Sequence, residues 1–162
     1  MTLALGIDPG TATTGFGLVR LEPDGGMVAV KYGVILTPKE ATASERLVML
    51  YDDLRSLLNE YHPQIAAVEK LFFSRNVTTA LAVGQARGVV MLCLQQSGIE
   101  AFEYTPNEVK QAVAGYGSAQ KRQVQEMVRA LLALDSIPKP DDAADALAIA
   151  ITHLSTKRYD LI

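Results

Sequence analysis

Four carboxylates stand where short apolar runs end or a helix opens. Asp8 follows Leu3 to Ile7, and Glu69 follows Ile65 to Val68. Asp142 and Asp145 open the last helical stretch, three residues apart and therefore on one face. In open α/β sheets, sites gather outside the carboxyl ends of the strands. Asp8 and Glu69 meet there if their strands are parallel neighbours, and the final helix then brings Asp142 and Asp145 from the side. Four such groups with no cation among them raise one another's pKa. Hard divalent ions relieve that repulsion, and carboxylate oxygens suit Mg²⁺ or Mn²⁺ better than zinc. Two ions about 3.5–4 Å apart form the clamp used for in-line phosphoryl displacement. Each residue also has a plainer reading: Asp8 as a turn residue before Pro9-Gly10, Glu69 as a solvated strand end, Asp142 as a helix cap. Asp145 is harder to dismiss, because Ala143, Ala144 and Ala146 leave its helix room to press against a sheet.

The elements that must position these groups read in the order βββαβαβααα. Leu3–Ile7, Gly15–Arg20 and Met27–Leu36 read as strands. The turn Pro23-Asp24-Gly25-Gly26 separates the second and third, giving an antiparallel meander. Ser44 is the expected cap of a helix whose Leu47, Leu50, Leu54, Leu57 and Tyr61 share a face, and His62-Pro63 stops it. The strand at Ile65 to Val68 leads to the loop Lys70 to Asn76, then to a helix from Val77 to Ser97 closed by Gly98. After the strand Ile99–Tyr104, Thr105-Pro106-Asn107-Glu108 spells a helix start with a capping box. A break at Gly115-Tyr116-Gly117 precedes a helix from Ser118 to about Leu134. The last helix is expected from Asp142 to Leu154, with a loose tail beyond. The expectation is one α/β domain over residues 1–155, a mixed sheet with helices on its faces, and a short tail at 156–162.

Composition fits that picture: 49% of the 162 residues are hydrophobic and 20% charged, which excludes a disordered chain and allows one full core. No uninterrupted apolar stretch is long enough to suggest a membrane span, and no basic region precedes an N-terminal apolar run, so a cytoplasmic protein is expected. Cys93, the single cysteine, reads as buried filler, and His62 and His153 show no metal spacing. The net charge of −3 is unevenly spread: residues 1–69 carry −4, residues 70–129 carry +3 and residues 130–162 carry −2. Two divalent ions on the carboxylates would turn the net charge of −3 to about +1, so acidity does not exclude a DNA substrate.

The stretches LGIDPGTATTGFGLV, AAVEKLFFSRN, ALAVGQARGVV, FEYTPNEVKQAVAGYGSAQKRQVQ and DDAADALAIAITHL, in this order, carry a resemblance over about Leu5 to Leu154. The chain resembles the RuvC-type Holliday junction resolvases, crossover-junction endodeoxyribonucleases of the ribonuclease H-like superfamily. The resemblance implies a five-stranded mixed sheet flanked by helices on both faces. It implies a metal-dependent nuclease with two Mg²⁺ or Mn²⁺ ions per subunit, and by motif position the ligands are Asp8, Glu69, Asp142 and Asp145. Asp141 lies four residues before Asp145 and stays open as a substitute for Asp142, though its place after Pro140 suits a helix cap. The implied mechanism is hydrolysis with one ion activating water, the other stabilising the leaving 3′ oxygen and Asp8 bridging both. The products would carry 5′-phosphate and 3′-hydroxyl ends. A homodimer nicking two opposed strands of a four-way junction, and the RuvA–RuvB branch-migration complex as partner, are implied as well.

The basic middle supplies the candidate DNA contacts. Lys110 and Lys121 match family positions that bear lysines near the DNA, and Lys121 would add positive charge at the scissile phosphate. Lys70, Arg75 and Arg122 are further candidates for phosphate contact. Phe72 and Phe73 share a loop with cations. Phe72 is expected to stack on unpaired bases and Phe73 to be partly packed. Ala80, Gly84 and Gly88, spaced by four, serve close packing either on the chain's own sheet or across a dimer interface. Three other readings remain: a ribonuclease H-like nuclease for another branched or hybrid substrate, an ATP-binding domain of the actin and Hsp70 type (whose first phosphate loop shares Gly-Ile-Asp-x-Gly-Thr), and a junction-binding module without cleavage.

Overall fold

A computed structural model describes residues 1–10, 12–70 and 77–159. Ten elements run in the expected order. The strands are β1 (Thr2–Asp8), β2 (Thr13–Leu21), β3 (Met27–Leu36), β4 (Ile65–Glu69) and β5 (Glu100–Tyr104). The helices are α1 (Ala43–Tyr61), α2 (Val77–Gln96), α3 (Pro106–Ala114), α4 (Lys121–Leu131) and α5 (Asp141–Tyr159). The strands form one sheet in the order β3-β2-β1-β4-β5. β1, β2 and β3 pair antiparallel, whereas β4 is parallel to both β1 and β5. Ile7 pairs with Val68 as the last partners of β1 and β4, so Asp8 and Glu69 leave neighbouring strands side by side.

The two-residue period of a strand sorts these side chains between layers. On β1, Leu5 and Ile7 enter a core with Leu18, Val68 and the α1–α2 residues Leu50, Leu54, Val90 and Leu94. Ala4 enters the opposite core with Ala67, Val109, Val128, Leu147 and Ile151. Asp8 has the parity of Ala4, and Glu69 that of Ala67. Both therefore project toward the layer of α3, α4 and α5. That layer is close because the sheet beneath α5 has little side chain: a Cβ on Gly6 would lie 1.9 Å from the Ala146 carbonyl oxygen, and one on Gly15 would lie 2.0 Å from that of Asp142.

Several boundaries differ from the sequence reading. Thr42, not Ser44, caps α1; its Oγ1 accepts from the Glu45 N–H at 3.2 Å. His62 ends that helix in the left-handed region, its N–H donating to Leu58 O. The α3 capping box forms as expected. α4 starts at Lys121 rather than Ser118, because Gln123 Oε1 accepts the Gln120 N–H at 2.8 Å and fixes the cap there. It ends at Leu131, where Ala133 turns to φ 52° and the Leu134 N–H returns to Arg129 O. α5 runs on to Tyr159, so the stretch after Leu154 is helical and not loose that far. α2 corrects another expectation: at 20 residues and a mean hydropathy of 1.5 it is long and apolar enough to cross a membrane, by length and composition. Here Ala86, Val90, Cys93 and Leu94 bury one face of it against the core. The sequence reading already has this helix at its full length; Thr78, Thr79, Gln85 and Arg87 break the apolar run, so no uninterrupted stretch shows the helix's overall hydropathy.

Candidate active site

One carboxylate oxygen each from Asp8, Asp142 and Asp145 lies within 4.8 Å of the others. Three local rules place them. Strand parity aims Asp8 at α5. The three-residue offset on α5 puts Asp142 and Asp145 on one face. Gly15, paired with Asp8 across β1 and β2, is the bare spot on which the Asp142 backbone rests. Glu69 is adjacent to this triplet rather than inside it, and its charge acts on both Asp8 and Asp145.

The electrostatics record the crowding. Burial, then the Glu69 charge and hydrogen bond, then Asp145 and Asp142, push the Asp8 carboxyl from 3.8 up to about 9. Burial also raises the Asp145 carboxyl, against the lowering effect of Lys121. Such a donor set, all hard oxygens and short of positive charge, fits a divalent cation of the magnesium or manganese kind. Asp8, Asp142 and Asp145 would hold it, with Glu69 at its edge.

Lys121 is the cation beside the cluster. Its Nζ lies 3.5 Å from Asp145 Oδ2 and 3.4 Å from Asp141 Oδ2. Burial works against its charge, but the two carboxylates prevail and raise its pKa. Asp141 is thereby separated from Asp142 in role. Asp142 belongs to the triplet, whereas Asp141 faces Lys121 and accepts from Gln125 Nε2 at 3.3 Å. Nor is Asp141 the cap of α5: the Pro140 carbonyl accepts from Ala143 and Ala144 N–H, which makes Asp141 the first helical residue. Gln125 went unnoticed in the sequence. The signal was its place one turn after Lys121 on a helix that faces α5.

Glu69, Lys110, Lys121 and Asp145 line one cleft of about 290 Å³ between α3, α4 and α5. Lys110 and Lys121, expected at a DNA phosphate, are thus brought to the carboxylates. Lys70 is exposed next to Glu69. Arg122 lines a different groove. Phe72, Phe73 and Arg75 lie outside the described residues. His153 is buried, with Nδ1 2.7 Å from the Tyr104 hydroxyl, and Cys93 is buried in the core.

The sequence model of the family described as "Crossover junction endodeoxyribonuclease RuvC" matches residues 4–153. A protein of that name from Roseiflexus sp. (strain RS-1) is 59% identical over 152 residues, covering 94% of this chain and 90% of its own length. Its counterpart from Chloroflexus aggregans is 59% identical over 154 residues, 94% of this chain and 93% of its own. Among solved structures, "T. thermophilus RuvC in complex with Holliday junction substrate" superposes with a TM-score of 0.94 at 36% identity, covering 99% of this chain and 97% of that one. The yeast mitochondrial Holliday junction resolvase Ydc2 shares the fold, with a TM-score of 0.75 at 12% identity over 97% of this chain and 79% of its own. With agreement running from Ala4 to His153 and through all five strands, this chain belongs to the crossover junction endodeoxyribonuclease RuvC family.

Proposed function

We propose that this protein is a divalent-metal-dependent endonuclease that resolves four-way DNA junctions by hydrolysing a phosphodiester on each of two opposed strands. The observation that carries the reading is the convergence of Asp8, Asp142 and Asp145 from β1 and α5, with Glu69 alongside, at the end of a cleft that also holds Lys110 and Lys121. Divalent ions bound to these carboxylates would supply Lewis acidity and an activated water. The chain's own groups do the rest. The carboxylates fix where the scissile phosphate sits. Lys121 offers positive charge where negative charge grows during displacement, and Lys110 holds the strand in the cleft. The reaction leaves 5′-phosphate and 3′-hydroxyl ends. We assign the metal as Mg²⁺ or Mn²⁺, two per subunit, on the count of charges to be balanced.

Two cuts need two sites, and α2 supports a homodimer. Val77, Leu81 and Leu92 are exposed on it, and among the described residues nothing lies within 4 Å of a Cβ built on Gly84 or Gly88. Gly84 and Gly88 therefore do not pack on the described part of the chain's own sheet. A RuvA–RuvB complex as partner follows from the resemblance alone, and a cytoplasmic location from the sequence reading.

The test is cleavage of a synthetic four-way junction labelled on both strands, with and without Mg²⁺, beside a replication fork and an RNA–DNA hybrid. Paired, opposed, metal-dependent incisions confined to the junction are expected. Preferential cutting of the hybrid or fork would favour a different nuclease of the same fold, and binding without any incision would leave only a junction-recognition module.

A further inference from the structure

Beside the catalytic cleft runs a second groove, of about 520 Å³, between α4, β3 and the segment 136–139. Arg122, Arg129 and Lys139 line it, with Tyr32 and Ser136. The single carboxylate in its lining is Glu126, which both arginines already contact: Arg122 at 3.3 Å and Arg129 Nε at 3.1 Å. Three cations to one anion leave the groove with two unbalanced positive charges. Lys139 is exposed and has no carboxylate within 4 Å among the described residues. Asp135 and Asp141 flank the groove in sequence without lining it.

Its position follows from helix geometry. Arg122, Glu126 and Arg129, at i, i+4 and i+7, form one stripe of α4. Lys121 and Gln125 form the neighbouring stripe and reach Asp141 and, through Lys121, Asp145. Consecutive residues point about 100° apart around the helix. The groove and the catalytic cleft are therefore two sides of one helix, and Lys139 stands two residues before Asp141. Two arginines, a lysine, a serine hydroxyl and a tyrosine outnumber the apolar Ile137 and Pro138 in the lining, which suits phosphate oxygens.

We propose that this groove holds the phosphodiester backbone of a duplex arm leaving the cleavage point, a second anchorage that sets the angle at which DNA enters the catalytic cleft. The assignment rests on the junction-nuclease reading above. It makes the contact independent of base sequence, and equal for a junction arm and a linear duplex.

The full chain carrying Asp8→Asn, which removes cleavage, serves as the parent for binding to a fluorescent four-way junction and a duplex over a salt series. Each phosphate contact contributes about 0.9 to the slope of log affinity against log salt. Arg122→Gln with Lys139→Gln is expected to lower the slope by about 1.8 and to weaken both probes roughly tenfold at 0.1 M salt. Ser136→Glu, a charge inserted at an exposed position, is expected to weaken both probes without touching an existing ion pair. Arg55→Gln, on α1 across the sheet, is expected to leave slope and affinity unchanged. Variants in the groove that bind with the parent's slope overturn the proposal, as does an equal loss in Arg55→Gln, which would reduce the effect to net charge. A parent that binds neither probe instead overturns the junction-nuclease reading.

Discussion

At the scale of single residues, the acidic triplet stores repulsion in the absence of a cation. With a pKa near 9 in the fold against 3.8 for the free group, Asp8 binds its proton more tightly folded than unfolded. The stability this confers is fully present below about pH 4 and is lost as pH rises toward 9, where the folded protein must give the proton up. The metal-free protein is therefore expected to melt at progressively lower temperature between those limits. Asp8→Asn should flatten that dependence and raise the melting temperature at pH 8, while cutting cleavage by a factor of about a thousand or more and sparing junction binding. Mg²⁺ at about a hundred times its dissociation constant should restore about 2.7 kcal/mol to the wild type and much less to the variant. A wild-type melting curve insensitive to pH and metal would contradict the clustering. Lys121→Ala removes the cation paired with Asp145 and is expected to lower the cleavage rate about 10²–10³-fold with little change in junction affinity, measured as kcat against Kd. The acidic residues were legible because strand ends and a three-residue spacing have geometric consequences. That Asp142 and not Asp141 joins Asp8 was not legible, since both spacings to Asp145 share a helix face; the position of α4, which claims Asp141 through Lys121 and Gln125, decides it.

At the scale of elements, the distance between α5 and the sheet sets the site. Helices pack on sheets through side chains, yet here the Gly15 position leaves no room for even a methyl group, with a Cβ 2.0 Å from the Asp142 carbonyl oxygen. Gly15→Ala is expected to push the first turn of α5 outward, to cost about 1–3 kcal/mol in chemical denaturation, and to weaken divalent-metal binding with it. Gly117→Ala, where a Cβ meets nothing within 4 Å among the described residues, is the matched control and should change neither. A folded Gly15→Ala variant with unaltered metal affinity would show that the contact between Gly15 and α5 does not set the position of Asp142. The sequence shows half of this contact. Alanines around Asp145 announce a helix that lies close, and Gly6, Gly15 and Gly17 are the reciprocal half, recognisable only once strand parity puts them under that helix. Element order and most boundaries were readable from caps and periodicity. The starts expected at Ser44 and Ser118 fail for one reason: serine type suggests a cap at either place, but Thr42 and the Gln120–Gln123 pair hold the helix starts instead.

At the scale of the whole molecule, one subunit offers a single acidic cluster among its described residues, while resolving a junction takes two cuts. The surface proposed above for pairing is α2. Only 22% of its apolar window is buried within the subunit, and Val77 and Leu81 are 68% and 65% exposed. A two-fold interface is self-complementary, so a helix with bare glycines between apolar side chains can lie against its own copy at close range. Two sites related by such an axis would face strands of opposite position in a junction whose own symmetry is two-fold. Charge placed on this helix should then separate the subunits without disturbing either site. Leu81→Glu with Gly88→Glu is expected to sediment as a monomer, keep its far-ultraviolet circular dichroism and retain metal-dependent nicking. The loss should be in coupling: on a plasmid that extrudes a cruciform, the wild type yields linear molecules from two cuts in one encounter, and the variant relaxed circles from one. A variant that remains dimeric, or a monomer that still linearises the plasmid in a single encounter, would remove α2 as the element that joins the two cuts.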